Sequence, residues 1–238
     1  MGNTDLLACR RLQPELMDQP GLDADRHLAA LEGLRRINWL SRSGALFWPA
    51  LTRLARQADE DRPLRVLDLA TGGGDVPLRL ARRARQLGLP IEFAACDKSA
   101  RAVTHAADSA EVAGERLSCF VWDIGEGVPE GYDVLMCSLF LHHLGERQAL
   151  TFLAQLRVAA RRAILINDLL RTPLGFVFAW AGTRVLTGSS VVHVDSLLSV
   201  QSAFTIHEIR GMANDAGMAS ASLTKRWPER FLLEWYRA

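Results

Sequence analysis

The sequence lacks several features that would assign the chain to a particular class of protein. None of its 4 cysteines belongs to a Cys-x-x-Cys pair, which argues against a zinc site or a disulfide framework. Cys96, Cys119 and Cys137 stand inside apolar runs, where a thiol behaves as a small hydrophobic group. The formal net charge is only +1, so no overall positive field attracts nucleic acid. We therefore expect no nucleic-acid partner.

Long hydrophobic runs are missing as well. The most apolar later stretch, residues 174–181, is far shorter than the roughly 20 residues that cross a bilayer, and Arg184 follows it. The first residues show no basic segment followed by an apolar one, which is the pattern of a secretory signal. We expect a cytoplasmic protein without stable membrane insertion, and 238 residues suit one well-filled domain.

What the sequence does contain is an alternation of short apolar runs and helical patterns. Residues 1–24 are polar and predict a loosely attached arm, and residues 24–57 predict helices. The predicted strands are 64–70, 91–96, 117–122, 132–137, 163–166, 220–227 and 230–236, and the later helices are 75–87, 100–113, 146–160 and 205–216. This alternation predicts an α/β fold with a doubly wound, mostly parallel sheet. We divide the chain into an N-terminal region, 1–57, and a core, 58–238, with an apolar cap insertion at 169–204.

A glycine-rich turn follows the first predicted strand. The stretch 66–77 reads Val-Leu-Asp-Leu-Ala-Thr-Gly-Gly-Gly-Asp-Val-Pro, and such a turn at a strand's carboxyl end is where doubly wound sheets bind nucleotides. Pro77 stands where a dinucleotide fingerprint has its third glycine. Asp68 would repel a pyrophosphate and suits a ligand that carries a positive centre. Both features disfavour a nicotinamide dehydrogenase.

Acidic residues also follow the next two predicted strands. Asp97 is placed to accept hydrogen bonds from ribose hydroxyls, and Asp123 from an exocyclic adenine amine, with Ile124 packing on the ring. Each aspartate alone is equally compatible with a helix cap or a turn. Together with Asp68, they make three aspartates at the ends of successive predicted strands, beside a glycine loop. This combination favours a nucleoside site.

These motifs resemble those of class I S-adenosylmethionine-dependent methyltransferases. The resemblance is carried by Asp-Leu-Ala-Thr-Gly-Gly-Gly-Asp at 68–75, Cys-Asp-Lys-Ser at 96–99, Trp-Asp-Ile at 122–124 and residues 132–144. It implies a seven-stranded Rossmann-like sheet and S-adenosylmethionine as cofactor, with S-adenosylhomocysteine as product. The cofactor-binding residues that it implies are Asp68, Ala70, Thr71, Gly72, Gly74, Asp97, Lys98, Asp123, Ile124 and Ser138.

A basic residue upstream of the core extends the resemblance. Arg36-Ile37-Asn38 is similar to a stretch in ubiquinone-biosynthesis O-methyltransferases, where an arginine would pair with the cofactor carboxylate. Arg42 is an alternative for that role, and a solvent-facing position on a helix is the other interpretation of Arg36.

The acceptor is expected beyond the carboxyl ends of the strands, beneath the apolar insertion. A hydroxyl acceptor benefits from a base that removes its proton, and histidine has a suitable pKa. His193 and His143 are the first candidates, followed by His142 and Asp168, although the histidine pair can also serve packing alone. We therefore expect methyl transfer to oxygen of a small, hydroxylated aromatic, quinone or polyketide-like molecule by a monomer or homodimer.

A required metal is not expected. The ubiquinone-pathway relatives show a Glu-x-x-Glu-His pattern that is associated with a divalent cation, whereas this sequence has Leu139, His142 and His143 there. Two matching positions thus lack the carboxylate that a hard cation prefers. The alternatives that remain open are a small-molecule N- or C-methyltransferase and a non-catalytic subunit that binds the cofactor.

Overall fold

A computed structural model describes residues 7–19, 21–40, 43–57 and 62–237. Its centre is a seven-stranded sheet in the order β3-β2-β1-β4-β5-β7-β6. The strands are β1 (Leu64–Leu69), β2 (Ile91–Asp97), β3 (Leu117–Val121), β4 (Val134–Ser138), β5 (Ala163–Leu169), β6 (Ser222–Arg226) and β7 (Arg230–Tyr236). Only β7 runs antiparallel to both of its neighbours, β5 and β6. The predicted α/β class, the mostly parallel sheet and the closing hairpin are confirmed.

Eight α-helices surround the sheet within the described residues. They are α1 (Ala24–Leu40), α2 (Ser43–Arg56), α3 (Asp75–Gln86), α4 (Ala100–Val112), α5 (Glu146–Ala159), α6 (Pro173–Leu186), α7 (Ser190–Ser202) and α8 (Ile206–Asp215). Side chains of β1 alternate between two cores, with Leu64 and Val66 facing α2 and α3, and Leu67 and Leu69 facing the core that contains α5. This two-sided burial explains why the central strands are apolar throughout.

The insertion after β5 folds into two capped helices, α6 and α7. Thr172 accepts a hydrogen bond from the Gly175 amide, and Pro173 occupies the first turn of α6, where a missing N–H costs nothing. Ser189 accepts from the Val192 amide at the start of α7. These helices lie beside the carboxyl ends of the parallel strands. None of the helices in the described ranges has the length and apolar character that crossing a bilayer requires.

The described part of the N-terminal arm is fastened to the rest of the protein, so the expectation of a loose arm is wrong for residues 7–19. The Arg10 guanidinium donates to the carbonyls of His142 (2.9 Å) and Leu144 (2.6 Å). Asp195 of α7 accepts from the amides of Leu16 (2.8 Å) and Met17 (3.0 Å). The polar residues of the arm find partners that are distant in sequence, which composition alone does not reveal.

Candidate active site

A cavity of about 1090 Å³ lies at the carboxyl edge of the parallel strands. Its walls include the loop after β1, the ends of β2 and β4, helices α6 and α7, the arm, and the turn before β7. Pockets for one small ligand are typically about 300–1,000 Å³, so this cavity has room for a nucleoside and a second molecule. The end near β1 and β2 is called the cofactor end below, and the end near the arm, α6 and α7 is called the acceptor end.

The loop after β1 brings bare backbone to the cofactor end. Gly72 (φ +56°) and Gly74 (φ +74°) have left-handed conformations, which favour glycine. A Cβ on Gly74 would lie 2.6 Å from the Cβ of Ala106, so α4 packs against the loop at this point. A Cβ on Gly72 would meet no atom within 4 Å, which leaves the cavity side of the loop open.

Asp68 at the end of β1 is buried and only partly satisfied. Its Oδ2 accepts a hydrogen bond from the Thr71 hydroxyl at 2.7 Å, while its Oδ1 has no hydrogen-bond partner among the described residues. Burial, together with the nearby Asp75 and Asp97, raises the pKa of Asp68 to about 8. A buried acceptor without a donor is costly, so this oxygen suits a ligand that brings a cationic N–H group.

Asp97 and Asp123 order the neighbouring loops. The two oxygens of Asp97 accept from the amides of Gly72 and Ser99, each at 2.9 Å. Asp123 accepts from the Gly125 amide at 2.8 Å and caps the short 3₁₀ helix at Ile124–Glu126. Each carboxylate oxygen has further lone-pair capacity, so a loop-ordering role and a ligand-binding role are compatible.

Most of the predicted cofactor residues come together at this end. The described cavity wall includes Asp68, Ala70, Thr71, Gly72, Asp97, Lys98, Asp123, Ile124 and Ser138. Gly74 lies behind the wall against α4. Arg36 is exposed on α1 and is not part of the wall, to which the same helix contributes Leu31, Leu34 and Ile37. Arg42 lies outside the described residues.

The acceptor end contains a cluster of ionisable side chains. His142 Nδ1 lies 2.6 Å from Asp168 Oδ1, and His142 Nε2 lies 3.7 Å from Glu15 Oε1. His143 Nε2 lies 4.0 Å from the other Glu15 oxygen, and the two imidazole centroids are 4.3 Å apart. His142 and Asp168 are buried, whereas the side chain of His143 is 28% exposed and lines the cavity.

Electrostatics favour a charged His142. Burial opposes its protonation, but the adjacent Asp168 and Glu15 outweigh burial and raise the pKa of His142 to about 10. The pKa of Asp168 and that of Glu15 are both lowered, because the histidine charge outweighs the burial of each carboxyl. At neutral pH, His142 is therefore an imidazolium cation between the carboxylates of Asp168 and Glu15.

His193 is placed differently from His143. Its Nε2 lies 2.8 Å from the Thr187 carbonyl oxygen, and the residue is not part of the cavity wall. Helix α7 instead turns Ser196, Ser199 and Val200 toward the cavity. Of the four predicted catalytic residues, the structure thus brings together His142, His143 and Asp168 and leaves His193 apart.

Glu15 is the functional candidate that sequence reasoning missed. Its ligand atom and those of His142 and His143 lie within 4.8 Å of one another, a grouping that also has the composition of a divalent-cation site. No local pattern links an arm residue to a histidine pair that follows β4. The expectation that no metal is required stays a prediction.

Buried Arg230 at the start of β7 was also missed. It is 2% exposed and belongs to the cavity wall. Burial lowers the pKa of Arg230 to about 10, although the negative charges of Asp168 and Asp75 act to raise it. A cationic residue in this position helps to balance the carboxylates at the base of the cavity.

The sheet order and the glycine loop at the strand edge define the class of the protein: it has the class I methyltransferase fold. Residues 66–162 match a family model described as a methyltransferase domain. The matched residues run from within β1 to just beyond the end of α5. No curated protein sequence matches the chain.

Three solved structures with similar folds have low sequence identity to the chain. Magnesium protoporphyrin IX methyltransferase of Synechocystis PCC 6803, with bound SAH, has 16% identity and a TM-score of 0.56, covering 93% of this chain and 91% of that one. A putative O-methyltransferase of Nostoc punctiforme PCC 73102 has 17% identity and a TM-score of 0.58, covering 89% and 61%. The pyocyanin biosynthetic protein PhzM has 19% identity and a TM-score of 0.55, and the match covers 76% of this chain but only 52% of PhzM.

Proposed function

We propose that the protein transfers a methyl group from S-adenosylmethionine to an oxygen atom of a small, largely apolar acceptor. The observation that carries this proposal is the single cavity that joins the Asp68 loop to His143. One end of that cavity suits a charged nucleoside, and the other end offers an imidazole beside apolar walls. The methyltransferase-domain match supports the reaction class.

The cofactor end fits S-adenosylmethionine through its own chemistry. The unpartnered Asp68 oxygen suits the ammonium group of the methionine portion, and Asp97 and Asp123 suit the ribose and the adenine. Gly72 leaves space for a ligand next to the backbone. When bound, the cofactor supplies a methyl group already activated on a sulfonium. The remaining task of these residues is to orient it toward the acceptor end.

His143 is the residue that we assign to the acceptor proton. It lines the cavity, lies beside the tilted ring of Phe140 with centroids 6.4 Å apart, and faces the Glu15 carboxylate. An imidazole that takes a hydroxyl proton becomes cationic, and Glu15 stabilises that charge. Positioned general bases typically contribute about 10²–10⁴-fold to a rate.

The decisive experiment combines binding with product analysis. Calorimetry with S-adenosylhomocysteine tests the cofactor end, and turnover with a deuterated methyl donor over a panel of phenols, enols and amines tests the acceptor end. Nuclear magnetic resonance of the product identifies the methylated atom. We expect binding and O-methyl products. Binding without turnover on any acceptor favours the non-catalytic alternative, and label on nitrogen or carbon alone contradicts O-methylation.

A further inference from the structure

Helix α6 exposes most of its large apolar side chains to solvent, and two of its small residues are buried. Gly175 and Thr183 are buried, whereas Leu174, Val177, Trp180 and Val185 are each at least half exposed. This is the reverse of the usual amphipathic pattern of a surface helix. The exposed face thus has no partner within the described residues.

The exposed side chains lie on one side of the helix. At about 100° per residue they fall within an arc of roughly 160° around α6. The turn before β7 adjoins this helix, because the Thr172 hydroxyl donates to Glu229 at 2.8 Å. That turn carries Trp227, which is 61% exposed. The name α6 patch is used below for Leu174, Val177, Phe178, Trp180, Val185 and Trp227.

The charges on α6 and directly before Trp227 are positive, whereas Glu229 in the same turn is partly buried and accepts from the Thr172 hydroxyl. Residues 169–204 contain three charged side chains, Arg171, Arg184 and Asp195. Arg171 and Asp195 are buried and hydrogen-bonded to other parts of the protein. Exposed Arg184 lies 4.9 Å from the centre of the Trp180 ring, and Lys225 and Arg226 precede Trp227. Aromatic and basic side chains around an apolar helix face are typical of proteins that lie on membrane surfaces.

We propose that the α6 patch docks the protein on the surface of a bilayer that contains anionic phospholipids. Positive charge at the patch complements the headgroups, and the apolar side chains enter the interfacial layer. With 14 residues, α6 is too short to cross the bilayer. A symmetric dimer through the same face is less favourable, since it would bring Arg184 close to its own copy without an acidic partner on the helix.

Docking in this way places the cavity against the lipid. Phe178 and Trp227 belong to both the α6 patch and the cavity wall. A lipophilic acceptor can then pass from the bilayer to the acceptor end without crossing water. This consequence rests on the proposed function, whereas the docking itself does not.

Vesicle co-sedimentation tests the docking directly. The full chain is mixed with vesicles of phosphatidylcholine alone or with 30% phosphatidylglycerol, and the bound fraction is measured at low and high salt. We expect binding to the anionic vesicles that weakens with salt. Val177→Asp should reduce the partition coefficient at least tenfold, and Arg184→Gln by roughly fivefold on anionic vesicles only. Val112→Asp, the same substitution at an exposed valine of α4, should have no effect.

Folding and cofactor binding serve as independent readouts. Val177 and Arg184 are not part of the cavity wall, so the far-ultraviolet spectrum and S-adenosylhomocysteine affinity of each variant should match the wild type. Wild-type protein that stays in the supernatant with both vesicle types overturns the docking, whatever the calorimetry shows. A Val177→Asp variant that binds anionic vesicles as tightly as the wild type also overturns it. So does a wild-type protein that binds no vesicles but has a two-chain mass in light scattering, if Val177→Asp reduces that mass to one chain.

Discussion

The two ends of the cavity are built in different ways. The cofactor end is made of short segments that each follow one of the strands β1 to β4, so neighbours in the sheet become neighbours in the site. The acceptor end is assembled from the arm, the segment after β4, helices α6 and α7, and the turn before β7. The topology of the sheet dictates the first arrangement, whereas the second depends on packing between distant segments. Variants at the two ends should therefore separate cofactor binding from turnover.

The largest effect is expected at the acceptor end from His143→Ala. Loss of the imidazole that lines the cavity should lower turnover about 100-fold or more and change S-adenosylhomocysteine affinity by less than twofold. His193→Ala, whose ring is bonded to the Thr187 carbonyl, is the matched control and should lower turnover less than about threefold. If His193→Ala lowered turnover more than His143→Ala did, His193 would be the better candidate for the base, as the sequence analysis expected.

At the cofactor end, Asp97→Ala should weaken S-adenosylhomocysteine binding about 10- to 100-fold. The variant loses charge-assisted hydrogen bonds to the ligand and also the contacts that hold Gly72 and Ser99 in place. Calorimetry measures the affinity, and exposed Asp108→Ala on α4 controls for the loss of a carboxylate. An affinity that stays at the wild-type value would remove the proposed ribose role.

The contrast between the ends also explains what the sequence could predict. Strand periodicity, the loop after β1 and the aspartates at strand ends are local signals. They predict the fold class and most of the residues named above that line the cofactor end of the cavity. The fastening of the arm by Arg10 and Asp195 involves pairs that are far apart along the chain, so it left no readable pattern. Local resemblance favours Arg36, and residue type favours His193. Neither signal shows which face of a helix points toward the cavity, and α1 and α7 present other side chains to it.

Glu15→Gln tests whether the arm belongs to the acceptor end. The substitution keeps the shape of the side chain but removes a charge beside His142 and His143, so turnover should fall about tenfold while cofactor affinity stays constant. The free energy of unfolding should drop by about 1–3 kcal/mol at neutral pH. Exposed Glu32→Gln on α1 is the control.

The stability difference between wild type and Glu15→Gln should depend on pH in a defined direction. The pKa of Glu15 is lower in the folded protein than in the unfolded chain, so its ionised form stabilises the fold. This contribution is fully present above the ordinary carboxyl pKa and is lost as the pH falls through the lowered value. Chemical denaturation at pH 7 and at successively lower pH measures the difference. A difference that grows on acidification would contradict the assignment.

The smallest effect is expected from Asp68 at the cofactor end, where ligand binding should release a fraction of a proton. Because the pKa of Asp68 is about 8 without a ligand, the carboxyl is mostly protonated at pH 7. The ammonium group of S-adenosylhomocysteine favours the ionised carboxylate, lowers that pKa and releases the proton on binding. Calorimetry at pH 7 in buffers of different ionisation enthalpy measures this release, which should shrink at pH 9, where Asp68 is already ionised. Methylthioadenosine, which lacks the amino acid portion, should bind without it. Release that persists in Asp68→Asn would assign the proton to another group and leave the cationic end of the cofactor without its proposed partner.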